Sequence, residues 1–232
     1  MTLEAVVFDF DGLIIDSEWA IFESASAAFE VHGHELTVEA WSTIIGLGDD
    51  DEELAWATLM AAMGIEGFER ATFSATYADQ PREDRDALPL LPGVEVLVDS
   101  LTADGIPIGV ASSSSLAWLD RHLGRLGIRP RFGAVIGSDV VGGVGKPAPD
   151  VYLRACAELD ADPARAVAIE DSAHGVSSAK AAGMVAVAVP SRITRFNDLT
   201  AADLVVDSVA ELTVDLLRAL VDRASTSGSP VA

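Results

Sequence analysis

The chain has 232 residues, half of them hydrophobic, enough to bury a sizeable core and to exclude a mainly disordered protein. Its net charge of -22 opposes nucleic acid and anionic membrane surfaces as partners. No apolar run approaches the ~20 residues of a membrane span, and the one cysteine, Cys156, excludes an internal disulfide and suits a reducing cytoplasm.

The N-terminus enters its first strand almost at once, with no basic or cleavage-like segment, so no signal peptide is expected. Ala5-Val6-Val7-Phe8 is β-branched and aromatic and reads as a buried strand. Asp9 and Asp11 follow where that run stops, and Gly12 comes directly after. Strand periodicity puts residues i and i+2 on one side, so both carboxylates lean into one space. Two like charges that close are costly unless a cation lies between them or one holds a proton. The pair asks for a metal, for acid–base work, or for both. The plain alternative is a strand ending in an Asp-rich turn, with Gly12 present for backbone freedom.

Trp19 to Val31 carries apolar residues at helical spacing, with Asp16 or Ser17 as its cap. Helical stretches follow at Val38 to Ile45, Asp50 to Met63 and Gly67 to Ala78, without a strand between them. The five acids Asp49 to Glu53 read as a helix start facing water. Trp19, Phe22, Trp41 and Trp56 read as helix-packing core. Past the polar segment Asp79 to Asp86, the prolines and glycine of Leu88 to Gly93 mark an irregular linker. Helices and strands then alternate. Helices are expected at Val94 to Asp104, Leu116 to Leu126, Asp150 to Leu159, Ala173 to Ala181 and Val209 to Arg223. Strands are expected at Ile106 to Ala111, Phe132 to Ile136, Ala166 to Ile169, Met184 to Val189 and Leu204 to Val206. That alternation predicts an α/β fold, a doubly wound parallel sheet with the early helical block inserted as a cap.

Three later segments carry chemistry at strand ends or loops. Ser112 and Ser113 follow a core strand, where a hydroxyl and exposed amides suit a phosphoryl oxygen, although a serine run is commonly only a cap. Lys146 is one of two lysines in the chain, the other being Lys180, and is held between Gly145 and Pro147. A fixed ammonium there pairs with a phosphate and with a nucleophilic carboxylate. Glu170 and Asp171 end another apolar strand. Such hard oxygen ligands suit Mg²⁺, although an acid at a helix start also complements its dipole. Lys180 and the neighbouring His174 read as packing or local structure.

Taken together, D-F-D-G-L-I-I-D-S-E, the serine after the second core strand, G-K-P-A-P-D and I-E-D-S-A-H-G resemble, in order, the four motifs of the haloacid dehalogenase superfamily. The resemblance covers Val6 to about Val189 and is closest to its sugar-phosphate phosphatases and β-phosphoglucomutases. It implies a Rossmann-like core of residues 1–16 and 88–223, a helical cap over 17–87 and a flexible tail over 224–232. It further implies a Mg²⁺-dependent phosphatase acting on a small phosphorylated metabolite, a sugar or nucleoside monophosphate. Asp9 would be the nucleophile and Asp11 the acid–base. Gly12 would let the backbone pass near the substrate, and Ser112, the Ser113 backbone and Lys146 would hold the phosphoryl oxygens. The metal would be held by Asp9, the Asp11 carbonyl, Asp171 directly, and Glu170 directly or through water. The expected protein is a cytoplasmic monomer.

Relatives within that superfamily are separated by residues this chain lacks. Phosphonate-cleaving relatives need a cap lysine, and none occurs between Ser17 and Leu88. Asp11, Glu170 and Asp171 argue against the dehalogenases. β-Phosphoglucomutases share all four motifs, but their cap histidine, cap arginine and second-motif basic residue fall at Ile21, Asp49 and Ser115. A bisphosphate intermediate needs cations, so a hydrolase is favoured. A catalytically dead phospholigand-binding member is the reading of another class, and every catalytic position being filled argues against it.

Overall fold

The computed structural model describes residues 2–45, 52–80 and 87–227. Six parallel strands form one sheet: β1 (Ala5–Phe8), β2 (Ile108–Ala111), β3 (Ala134–Ile136), β4 (Ala166–Glu170), β5 (Val185–Ala188) and β6 (Leu204–Val205). Their order is β3-β2-β1-β4-β5-β6, so the chain starts in the middle and winds outward in both directions. This is the doubly wound α/β architecture that the alternating pattern predicts.

Alternation along the strands sorts the core into two faces. Val6 and Phe8 join Val110, Val167, Ile169, Val185 and Val187 on one side. Ala5, Val7, Ala166, Ala168, Ala186 and Ala188 lie on the other. The bulky face receives α5 (Val94–Ala103), α6 (Leu116–Arg125) and α9 (Val214–Ser227). The alanine face lets α7 (Asp150–Glu158) and α8 (Ala173–Ala181) approach closely, with Tyr152 and Cys156 fully buried. Lys180 is exposed and reaches Asp203 at 2.6 Å, tying α8 to the sheet edge from the surface.

Between β1 and β2 lie α1 (Ser17–Val31), α2 (Val38–Ser42), α3 (Glu52–Met63) and α4 (Arg70–Ala78). They close on a separate core of Phe22, Phe29, Trp41, Leu59 and Met60, with Trp19 and Trp56 packed against it, so these aromatics are core as read. The chain leaves and re-enters the sheet side by side, the amide of Leu91 donating to the Ile14 carbonyl at 2.9 Å. Asp49 to Asp51 of the acidic run, most of the polar segment before the linker, and the last five residues lie outside the described residues. Of the acids that are described, Glu52 and Glu53 pair with Arg70.

Three local expectations are corrected. Neither Asp16 nor Ser17 caps α1: Asp16 makes no cap bond and pairs with Arg192, while Ser17 turns toward Asp11. The closing helix begins at Val214, not Val209. Ser208 caps a separate turn of 3₁₀ helix at Val209–Glu211, and the Thr213 hydroxyl then accepts the Leu216 amide at 3.2 Å. That turn packs on Gly93, where a Cβ would lie 2.3 Å from the Ala210 nitrogen. The tail also starts later than residue 224. Helix α9 continues to Ser227, with the hydroxyls of Ser225 and Thr226 bonded to carbonyls one turn back. No helix among the described residues is long and apolar enough to cross a membrane.

Candidate active site

The three central strands, β2, β1 and β4, end side by side and deliver the polar residues. Asp9 follows Phe8, its amide still in the sheet through a 2.9 Å bond to the Ile169 carbonyl. Ser112 follows Ala111 in the same way, bonded to the Ile136 carbonyl at 3.0 Å. Glu170 is the last residue of β4, and Ser172 caps α8 directly after it through the Gly175 amide at 3.1 Å. Lys146 comes from the loop before α7. Its own amide donates to the Ser113 hydroxyl at 3.2 Å, which pins that loop to the end of β2.

These placements bring Asp9, Lys146, Glu170 and Asp171 into one buried cluster. The Lys146 ammonium donates to Asp9 Oδ1 and to Glu170 Oε1, each at 2.5 Å. Tyr152 donates its phenol to the same Glu170 oxygen at 2.6 Å, while Glu170 Oε2 accepts the Asp171 amide at 3.1 Å. Asp9, Glu170 and Asp171 each offer an oxygen within 4.8 Å of the others. Three carboxylates therefore share a single ammonium. Burial, followed by the charges of Glu170 and Asp11, pushes the Asp9 carboxyl up to about 7 despite Lys146. Burial and the charges of Asp9 and Glu170 likewise hold Asp171 well above the usual carboxylate range. Burial alone would lower the Lys146 pKa, yet the attraction of Asp9 and Glu170 raises it above the ordinary lysine value. The excess of negative charge and the hard oxygen donors fit a divalent cation such as Mg²⁺.

Asp11 is held apart from that cluster. Its Oδ1 accepts Ser17 Oγ at 2.6 Å and the Trp118 indole N–H at 3.1 Å. Its Oδ2 accepts Ser114 Oγ at 2.7 Å, with Ser112 Oγ at 3.5 Å. The Ser112 hydroxyl in turn accepts the Ser114 amide at 3.0 Å. The two motif aspartates thus face different partners across the same opening, a buried lysine for one and a ring of hydroxyls for the other. Trp118, Ser114 and Tyr152 were not foreseen from the sequence. Only Ser114 left a signal, as a third hydroxyl in the serine run.

Gly12 has φ +84°, and a Cβ there would lie 2.3 Å from Asp171 Oδ2. The close neighbour of this glycine is therefore the acid at the end of β4. Gly12→Ala is expected to strain the left-handed turn by about 1–2 kcal/mol and to displace Asp171. Activity should fall by more than tenfold while far-UV circular dichroism is kept; an alanine variant with wild-type activity would contradict this account.

A cavity of about 110 Å³ opens over Asp9, Asp11, Ser112 and Lys146, with Glu18 and Ile45 of the helical insertion on its wall. Among its described lining residues Lys146 is the one cation. His174 sits beside it as a local structural residue, its Nδ1 3.0 Å from the Ile45 carbonyl.

Comparison with known proteins gives concordant matches. A family model described as haloacid dehalogenase-like hydrolase matches residues 6–189. The chain is 33% identical to YhcW of Bacillus subtilis, covering 93% of this chain and 96% of that protein. It is 33% identical to hexitol phosphatase B of Escherichia coli, over 92% and 96% of the two chains. Among solved structures, CbbY from Rhodobacter sphaeroides in complex with phosphate superposes with a TM-score of 0.66. That match has 28% identity and covers 91% of this chain and 96% of CbbY.

Proposed function

The chain belongs to the haloacid dehalogenase-like hydrolase family, and we propose that it is a Mg²⁺-dependent phosphatase of small phosphomonoesters, sugar or nucleoside monophosphates. The observation that carries this reading is the buried lysine bridge from Asp9 to Glu170, whose Asp9 and Lys146 line one cavity with Asp11.

In the proposed reaction an Asp9 carboxylate oxygen attacks phosphorus and forms an aspartyl-phosphate as the P–O bond to the substrate breaks. Asp11 gives its proton to the leaving alkoxide, then takes one from the water that attacks the phosphoenzyme. Phosphate leaves, and Asp9 is restored. Ser112, the Ser113 amide and Lys146 hold the equatorial oxygens and stabilise their charge. Asp9, Asp171, Glu170 and the Asp11 carbonyl would hold Mg²⁺, which supplies Lewis-acid stabilisation of the transferring oxygens. Gly12 keeps the turn open beside Asp171. Residues 17–87 act as a cap domain on the core of 1–16 and 88–223. The protein acts as a cytoplasmic monomer on a soluble metabolite.

Hexitol phosphatase B, by its name, acts on sugar-alcohol phosphates, which supports a polyhydroxylated substrate. A mutase reading has the same nucleophile but needs cations for a second phosphate. The cavity wall brings Glu18 and Ile45 there, and residues 46–51 contain no cation at all. The two readings separate in one assay with β-glucose 1-phosphate and a trace of glucose bisphosphate. Phosphate release without isomerisation supports the hydrolase, whereas glucose 6-phosphate without phosphate release would establish the mutase.

Metal binding should register in stability. With Mg²⁺ a hundredfold above its Kd, binding adds about 2.7 kcal/mol, roughly 5–10 °C in the melting temperature of a chain this size. The sign of its pH dependence follows from Asp9, raised from 3.8 to about 7. Between those values the metal-free native state holds more protons than the unfolded chain, so this group's contribution to stability falls as pH rises. Protons compete with the metal across the same window. The Mg²⁺ increment should therefore be larger at about pH 8 than at about pH 5.5. Scanning calorimetry that found the same increment at both would contradict this.

A further inference from the structure

After β5 the chain makes a short loop, Ser191 to Asn197, that touches both the acid cluster and the helical insertion. Thr194 is fully buried in it. Its hydroxyl donates to Asp171 Oδ2 at 3.2 Å and accepts the Ser191 amide at 2.9 Å, with Ser191 Oγ 3.0 Å away. Ser191 Oγ also accepts the amides of Ile193 and Thr194 at 3.3 and 3.2 Å. The threonine hydroxyl thus has its lone pairs engaged within the loop and its proton aimed at Asp171. Gly12 makes room for the same carboxylate, since a methyl there would meet Oδ2.

The loop around Thr194 is fastened to the insertion at three points. Ile193 is fully buried and belongs to the core that contains Phe22, Trp41 and Leu59. The Arg192 guanidinium pairs with Asp16 at 2.9 Å and lies 3.8 Å over the Trp19 ring. Asn197 donates to the Ser42 carbonyl at 3.1 Å and accepts the Ala173 amide at 3.3 Å, joining α2 to the start of α8. A hydroxyl that orients a metal-holding carboxylate sets the affinity of the site, and loss of such a partner typically costs 10–100-fold in metal binding.

We infer that Thr194 is a positioning residue for the metal site, presenting the Asp171 carboxylate from a loop that the helical insertion clamps in place. The inference rests on the reading of Asp171 as a Mg²⁺ ligand. Thr194→Val keeps the shape and removes the hydroxyl, while Thr194→Ser keeps the hydroxyl. Isothermal titration of Mg²⁺ into each metal-free protein is the test. Thr194→Val should bind Mg²⁺ at least ~10-fold more weakly than wild type, and Thr194→Ser within about threefold of it. In phosphate-release assays the Val variant should need proportionally more Mg²⁺ for half-maximal rate, with recovery at saturating metal. If the Val variant fails to fold, Thr194→Ala against Thr194→Ser gives the same hydroxyl comparison. Val or Ala binding Mg²⁺ as tightly as wild type overturns the inference while leaving the metal reading intact. A wild-type protein that takes up no Mg²⁺ overturns both.

Discussion

Asp9→Asn should slow phosphate release by roughly 10⁴-fold or more, because an amide cannot form the phosphoenzyme, while the metal-free variant melts no lower than wild type at about pH 8. The stability effect has its own cause. Asp9 is buried among Glu170, Asp171 and Asp11, and its carboxyl is pushed up to about 7, mainly by burial. Ionising it above that pH works against folding. The amide removes that charge and keeps an oxygen for Lys146, which retains Glu170 at 2.5 Å. A variant that was inactive only because it unfolded would show the opposite thermal shift. Circular dichroism melts beside the rate assay separate the cases.

Lys146→Met should damage both stability and chemistry. The ammonium is the cation bonded to Asp9 and Glu170, and its side chain is only 3% exposed. Removing one member of such a buried pair leaves uncompensated charge and costs about 3–5 kcal/mol, a fall of roughly 6–20 °C in melting temperature. Losing a preorganised donor to the transferring oxygens should also lower the turnover rate by about 10²–10³-fold. Added Mg²⁺ should recover part of the stability, since it offsets the same carboxylates, but little of the rate. A methionine variant as stable as wild type without metal would remove the electrostatic argument for this cluster.

What could be read from the sequence was whatever obeys local rules. The apolar, β-branched run before Asp9 marks a strand end, and the doubled acids after Ile169 do the same for β4. Lys146 stood out because lysine is scarce and because glycine and proline hold it. The sheet, its parallel winding and the inserted helices followed from the order of those runs. The partners that orient the carboxylates were hidden for a different reason. Trp118 reaches Asp11 across 107 positions of sequence, and Thr194 reaches Asp171 across 23. Tyr152 is one of four buried residues of α7, and only its phenol on Glu170 sets it apart. Side-chain bonds between distant elements leave no periodicity to detect. The errors at Asp16, Val209 and the last helix were of a milder kind. Asp16 is drawn to Arg192 instead of the helix end, the Thr213 hydroxyl takes the Leu216 amide beyond Val209, and the Ser225 and Thr226 hydroxyls bond back into α9.

The most direct measurement is inorganic phosphate release by the wild-type protein from a panel of hexitol, hexose, nucleoside and aryl monophosphates, with Mg²⁺ and again in excess chelator. Release from polyhydroxylated monophosphates that chelation abolishes and metal restores is the predicted result. Release that persists undiminished in chelator, or none from any monophosphate in the presence of Mg²⁺, would contradict it.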